Sequence, residues 1–234
     1  MILSHAHKFI YIKTIKTASS SIEAALSTVC GPDDVITPTR DDLLALRDAR
    51  GPQNYRIDHP AKPKIPLYRK LLRRPERHYH PTVGFYEHMP AWRVKTYVGD
   101  AVWNSYFKFS FERNPWDRQV SFYYFRSKNR GREETFAQFV ADAKRSSVDN
   151  WGLYTLDDTP ALDFIGRYET LEDDFEKVKQ ACGLPESLSL PVHNTSQRTS
   201  GYVEYYDDPQ LIETIATRYA KEIAHFSYGF EPAI

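Results

Sequence analysis

The chain has 234 residues, enough for one well-buried domain, and its 41% hydrophobic and 26% charged residues are the proportions of an ordinary globular protein. Lysine plus arginine and aspartate plus glutamate balance at 31 each, which excludes a bulk electrostatic binder of nucleic acid. Two cysteines, Cys30 and Cys182, make no disulfide framework, and charges interrupt every apolar run before it reaches the length of a membrane span. Residues 1–8 lack the basic region and apolar stretch of a signal peptide, so the expected setting is the cytoplasm.

In chain order, Phe9, Ile10, Tyr11 and Ile12 form a short apolar run rich in β-branched and aromatic residues and predict a buried strand. A polar stretch over residues 13–21 follows. Ile22, Ala25, Leu26 and Val29 then recur at helical spacing until Gly31-Pro32. Thr39 can cap a second helix carrying Leu43, Leu44 and Leu46, stopped by Gly51-Pro52. Around residues 52–81 the pattern breaks down. Pro52, Pro60, Pro63, Pro66, Pro75 and Pro81 fall among Arg69, Lys70, Arg73, Arg74 and Arg77, which predicts a basic insertion carried as a loop.

Order returns with a helix over residues 90–98, ended by Gly99, and a central strand over 106–111. Pro115 suits the first turn of a helix reaching about residue 128. Further elements are a helix over 136–144, a strand over 162–168, a helix over 171–181 stopped by Gly183, and a closing helix over 209–225. Strands alternating with helices predict one α/β domain across residues 1–234, with a central, mainly parallel sheet flanked by helices.

The segment Lys16, Thr17, Ala18, Ser19, Ser20, Ser21 sits between the first strand and its helix. Backbone N–H groups at a helix start are unpaired and carry the positive end of the helix dipole. Small residues let a phosphate approach them, hydroxyls add donors, and Lys16 brings a full charge to the mouth of that cradle. The same residues also read as a serine-rich helix cap beside a solvated lysine. No G-x-x-x-x-G-K-[ST] motif of nucleoside triphosphatases occurs in the chain. A second group, Arg113 with Ser121, lies where the central strand passes into its helix. It therefore faces the same edge of the sheet, where open α/β sheets bind ligands. A guanidinium grips a phosphate bidentately and a serine adds a bond. The alternative is a structural arginine paired with Asp117 or Glu112.

Taken together, these segments resemble the sulfotransferases, in particular the carbohydrate 2-O- and chondroitin-type enzymes and their bacterial relatives. The stretch from Lys16 to Ser21 resembles that family's 5′-phosphosulfate loop, P-K-T-[AG]-[SG]-[ST]-S. Residues 106–121 resemble its 3′-phosphate strand and helix, 164–175 its later strand–helix junction, and 194–206 its C-terminal segment. Ile15 stands where the family usually has proline, and Ser19 where glycine is frequent. The resemblance implies the P-loop nucleotide-hydrolase-like sulfotransferase fold. It also implies 3′-phosphoadenosine-5′-phosphosulfate as sulfonate donor, no metal, and a hydroxyl acceptor, most readily a carbohydrate. Lys16 then stabilises the leaving phosphate with help from Thr17 to Ser21, Arg113 and Ser121 hold the 3′-phosphate, and Arg198 closes over it.

The acceptor needs a base, and the family carries a histidine in the segment matched by Phe85-Tyr-Glu-His-Met-Pro90, which makes His88 the candidate, with Glu87 as the reserve. His88 also reads as a surface or capping histidine. Arg69, Lys70, Arg73 and Arg74 of the insertion can dock an anionic acceptor or form a solvated loop. Competing readings are a non-catalytic nucleotide- or polyanion-binding module on the same fold, and a sulfotransferase for a small molecule or peptide.

Overall fold

The computed structural model describes residues 1–39, 44, 47, 51–64, 82–127, 131–191 and 201–231. The apolar run after residue 8 forms strand β2 (Phe9–Tyr11), fully buried, and alternation sends its side chains to both faces of a sheet. Phe9 and Tyr11 join Phe109 and Phe111 of β4 (Phe107–Glu112) under helices α1 (Ser19–Thr28) and α7 (Leu171–Cys182). Ile10 and Ile12 point the other way, into a second cluster with Phe85, Met89, Val94 and Trp103. β2 is therefore covered on both faces, which is why it runs apolar, whereas β4 alternates and buries Lys108, Ser110 and Glu112 on its other side. Cys30 and Cys182 are buried within the first cluster and form no disulfide with each other.

Five strands are hydrogen-bonded in the order β3 (Val35–Ile36), β1 (Ile2–Ser4), β2, β4, β7 (Phe164–Arg167). The parallel pairs are β2 with β4 and β4 with β7, whereas β1 is antiparallel to both β2 and β3. The sheet is thus mixed, not mainly parallel as the alternation of strands and helices suggested. The signal for β1 is short, since Ile2 and Leu3 are followed by Ser4 and His5, and its pairing of Leu3 with Ile10 is made only through the hairpin. The parallel half delivers the ends of β2, β4 and β7 to one edge of the sheet.

Helix α2 (Ala91–Ser105) continues past the expected stop: Gly99 takes φ 78° and ψ 165°, kinking the helix, and the second segment brings Trp103 into the core. Helix α3 (Pro115–Arg126) starts as expected, with Pro115 at its first position and the Asn114 side chain accepting from the Trp116 N–H. The helix expected over 136–144 is two pieces, α4 (Phe136–Ala141) and α5 (Ala143–Ser146), because Asp142 leaves the helical conformation and caps the second. A one-turn helix α6 (Trp151–Tyr154) leads into a small hairpin, β5 (Thr155–Leu156) with β6 (Thr159–Pro160). The closing helix is also divided, into α8 (Pro209–Arg218) and α9 (Ala220–Phe226). These helices and α3 share a third cluster built on Trp116, Val120, Phe139, Tyr206 and Ile215. Of the helix expected after Thr39, only residues 44 and 47 are described, and residues 65–81 of the basic insertion lie outside the described residues. The insertion's first part is anchored, with Gln53 bridging to Ile36 and Arg56 to Gly84.

Across the β4–β7 pair, Phe111 lies opposite Gly166, and its ring occupies the space a side chain would need. A Cβ at position 166 would come within 2.5 Å of the ring. Gly166→Ala therefore overpacks the sheet and is expected to cost about 1–3 kcal/mol, read as a lower urea midpoint at unchanged slope.

Candidate active site

The loop after β2 is held at its start by threonines. The Thr14 hydroxyl donates to the Phe111 carbonyl at 2.5 Å and lies 2.8 Å from that of Thr17, and both residues are fully buried. Lys16 (φ 65°) and Ala18 (φ 57°) then adopt the left-handed conformation. For a residue with a Cβ this costs on the order of 1 kcal/mol, and such strain concentrates at ligand clamps. Its effect is a concave run of amides. The N–H groups of Ser21 and Ile22 close onto the Ala18 carbonyl, while those of Thr17, Ala18, Ser19 and Ser20 have no acceptor among the described residues. No hydrogen bond ties down the hydroxyls of Ser19, Ser20 or Ser21 among the described residues either, and α1 begins at Ser19 with no side-chain cap. Successive amides with no acceptor among the described residues, at a left-handed turn and a helix start, are an arrangement able to take an anion. The half-buried Lys16 sits beside it, its ammonium 5.0 Å from the centroid of the Phe125 ring.

Arg113 reaches this loop from β4. It is buried, pairs with Asp117 through Nε at 2.8 Å and a terminal nitrogen at 2.7 Å, and donates from its other terminal nitrogen to the Lys16 carbonyl at 3.3 Å. Tyr168, just past β7, stacks against the guanidinium at 3.9 Å. The structural pairing with Asp117 and the approach to the loop are thus both present. Five N–H groups on a guanidinium leave Arg113 donors beyond these three contacts. Ser121 lies one helical turn after Asp117, buried, its hydroxyl without a bond among the described residues. The other residue considered for Arg113, Glu112, instead binds Arg118 at 2.5 Å, and Arg118 also meets Glu222.

On the opposite side of the loop, the ammonium of Lys13 is buried between Glu23 of α1 at 2.6 Å and Glu87 at 2.5 Å. Arg47 adds a second cation to Glu23 at 2.6 Å. For both glutamates burial is the largest single effect and would raise the pKa, but Lys13 and the other neighbouring groups together outweigh it, and both are held below the usual carboxylate range. His88 (φ 55°) approaches the Lys13 carbonyl with Nδ1 at 2.9 Å. A carbonyl only accepts, so Nδ1 carries the proton and Nε2 keeps its lone pair, 3.9 Å from a Glu87 oxygen. Burial and the Lys13 ammonium lower the imidazole pKa to about 4.

The structure therefore brings Lys16 to Ser21, Arg113 and Asp117 together at one edge, and links Glu87 and His88 to the same loop through Lys13. Arg198 and the insertion residues Arg69, Lys70, Arg73 and Arg74 lie outside the described residues. Among the described residues no cluster of histidine, cysteine, aspartate or glutamate is arranged to hold a metal, and no helix is long and apolar enough to cross a membrane. Sequence reasoning missed Lys13, Glu23 and Asn150. Lys13 read as part of a polar loop, and nothing local announces a buried lysine.

The sequence pattern of the sulfotransferase family matches residues 1–229. The chain belongs to the sulfotransferase family. It is also 36% identical over 112 residues to an uncharacterized protein of Archaeoglobus fulgidus, an alignment covering 46% of this chain and 93% of that protein. No solved structure matches the chain. In this sulfotransferase-family member the His88 side chain meets the loop after β2 at one backbone carbonyl, that of Lys13.

The lowered pKa of His88 makes stability depend on pH. Between about pH 4 and the ordinary histidine value of 6.5, the folded protein binds fewer protons at this side chain than the unfolded chain does. Stability is accordingly expected to fall as pH drops through that window. His88→Asn keeps a donor toward the Lys13 carbonyl and tolerates positive φ. Urea unfolding at pH 7.0 and 4.5 is expected to show a smaller acid loss in the variant.

Proposed function

We propose that the protein transfers the sulfonate of 3′-phosphoadenosine-5′-phosphosulfate to an acceptor hydroxyl, on a carbohydrate, and that residues 1–234 form one sulfotransferase domain of the P-loop-like fold. One observation carries this reading: four successive amides, those of Thr17 to Ser20, have no acceptor among the described residues and lie beside Lys16 in a strained turn. The donor, when bound, supplies an activated sulfonate whose leaving group is a phosphate oxygen, and charge builds on that oxygen in a loose transition state. The loop amides, the hydroxyls of Ser19, Ser20 and Ser21, and Lys16 are suited to that charge because they are oriented before it develops. Arg113, through its remaining N–H groups, and Ser121 are assigned to the 3′-phosphate, with Arg198 as a further contact.

His88 is the proposed general base. Nε2 is unprotonated at neutral pH and can receive the acceptor's proton. Glu87, ionised at 3.9 Å, then stabilises the imidazolium, which suits it better than the role of reserve base while Lys13 holds its carboxylate. Arg69, Lys70, Arg73 and Arg74 are proposed to meet an anionic acceptor.

Calorimetry with 3′-phosphoadenosine-5′-phosphate tests the donor site: binding by the intact chain and its loss in Lys16→Ala are expected, and absence of binding by the intact chain overturns the reading. Labelled-sulfonate transfer, screened over glycans, phenols and peptides, identifies the acceptor. With that acceptor, Lys16→Ala is expected to lower kcat by roughly 10²–10³. His88→Asn is expected to lower kcat by roughly 10²–10⁴ while nucleotide binding survives. Normal turnover in His88→Asn would remove the histidine from the mechanism.

A further inference from the structure

Ile15 occupies the position where a proline ring is usual in the resemblance described above, so this chain enters its anion cradle without a fixed φ. The structure shows what stands there instead. The side chain of Asn150, fully buried, pairs with both polar groups of the Ile15 backbone: Oδ1 accepts from the Ile15 N–H at 2.8 Å and Nδ2 donates to the Ile15 carbonyl at 3.1 Å. This two-point contact crosses 135 residues of sequence. Nδ2 also donates to Glu112 Oε1 at 3.1 Å, and that same oxygen accepts from the Arg113 N–H at 2.8 Å. One amide thus joins the residue before Lys16 to the residue before Arg113.

Asn150 makes these bonds at the expense of a local one. It stands at the N-cap position of α6, where asparagine ordinarily bonds to its own helix, and here it makes no side-chain cap. A two-point amide contact restrains both backbone dihedrals of Ile15, where a proline ring restrains φ alone. A proline could not make the contact, since it lacks the N–H that Oδ1 accepts.

We propose that Asn150 is the positioning residue of the donor loop, setting the direction in which the chain enters Lys16 and coupling that loop to the Arg113 end of β4. The inference rests on the donor-site reading for its functional consequence, but the loop restraint can be read separately. Amide hydrogen exchange on the full chain reports the protection of Ser21 and Ile22, which close on the Ala18 carbonyl. Calorimetry with 3′-phosphoadenosine-5′-phosphate reports the donor site.

Asn150→Ala is expected to reduce Ser21 and Ile22 protection and to weaken nucleotide binding by about tenfold, the effect of lost preorganisation. Ile15→Pro, damaging in the parent chain because it leaves Asn150 Oδ1 unpaired, is expected to be restorative in the Asn150→Ala background. That change of sign is a coupling a merely structural role does not produce. If Asn150→Ala fails to fold, Asn150→Ser, which is too short to span both Ile15 groups and keeps a hydroxyl for its buried polar neighbours, takes its place with the same expected direction. Ser21 and Ile22 protection within about twofold of the parent, with only a lowered Tm, overturns the proposal. So does a double variant no better than the single one. Failure of the parent chain to bind the nucleotide removes the donor reading instead, and the exchange data still decide whether Asn150 holds the loop.

Discussion

Burial of the Lys13 ammonium between Glu23 and Glu87 is the contact on which both halves of the site depend. Lys13 lies two residues past the end of β2, so its side chain ties the strand's end to α1 through Glu23 and to the His88 segment through Glu87. Its backbone does a separate task, since the same residue's carbonyl receives Nδ1 of His88. A buried ion pair is poor evidence for net stability, because desolvation offsets much of the attraction. Removing one partner is another matter and costs roughly 3–5 kcal/mol, as the remaining charge is stranded. The pairing therefore acts less as a source of stability than as a restraint, permitting only arrangements in which loop, helix and histidine segment stay in register.

That restraint explains why strain persists in the loop. Lys16, Ala18 and His88 each take a left-handed backbone that a side chain disfavours, all within the same neighbourhood. Isolated, each would relax. Here the Thr14–Thr17 contact, the Arg113 bond to the Lys16 carbonyl and the His88 bond to the Lys13 carbonyl oppose relaxation from three directions. Amides left without an acceptor among the described residues cost folding energy, and in the proposed function that cost is offset when the donor binds, because no reorganisation is then needed.

What was legible in the sequence was local. The strand at Phe9, the helix begun by Pro115 and the stop at Gly183 follow from adjacent residues, and the cluster Lys16 to Ser21 is visible as a string. The helix stops at Gly99 and near Asp142 were harder, because a kinked helix and two short ones share one periodicity. The mixed sheet was missed because β1 offers three residues whose meaning comes from the hairpin partner. Lys13 and Asn150 were illegible for a stronger reason. A lysine in a polar stretch and an asparagine before a one-turn helix are ordinary, and their partners lie as far as 74 and 135 residues away.

Charge placement at the two ends of the loop also separates two tasks. Arg113 is matched by Asp117 and Lys13 by two glutamates, so these cations enter the site already compensated. Compensated cations hold geometry well and attract free anions weakly. In the proposed function the amides of Thr17 to Ser20, which have no acceptor among the described residues, then add oriented donors beside these cations. A cradle of this kind recognises an anion by the shape of its oxygens as much as by its charge. The proposed function accordingly places discrimination in oriented N–H groups at one strand end, in a chain whose lysines and arginines are balanced by its carboxylates.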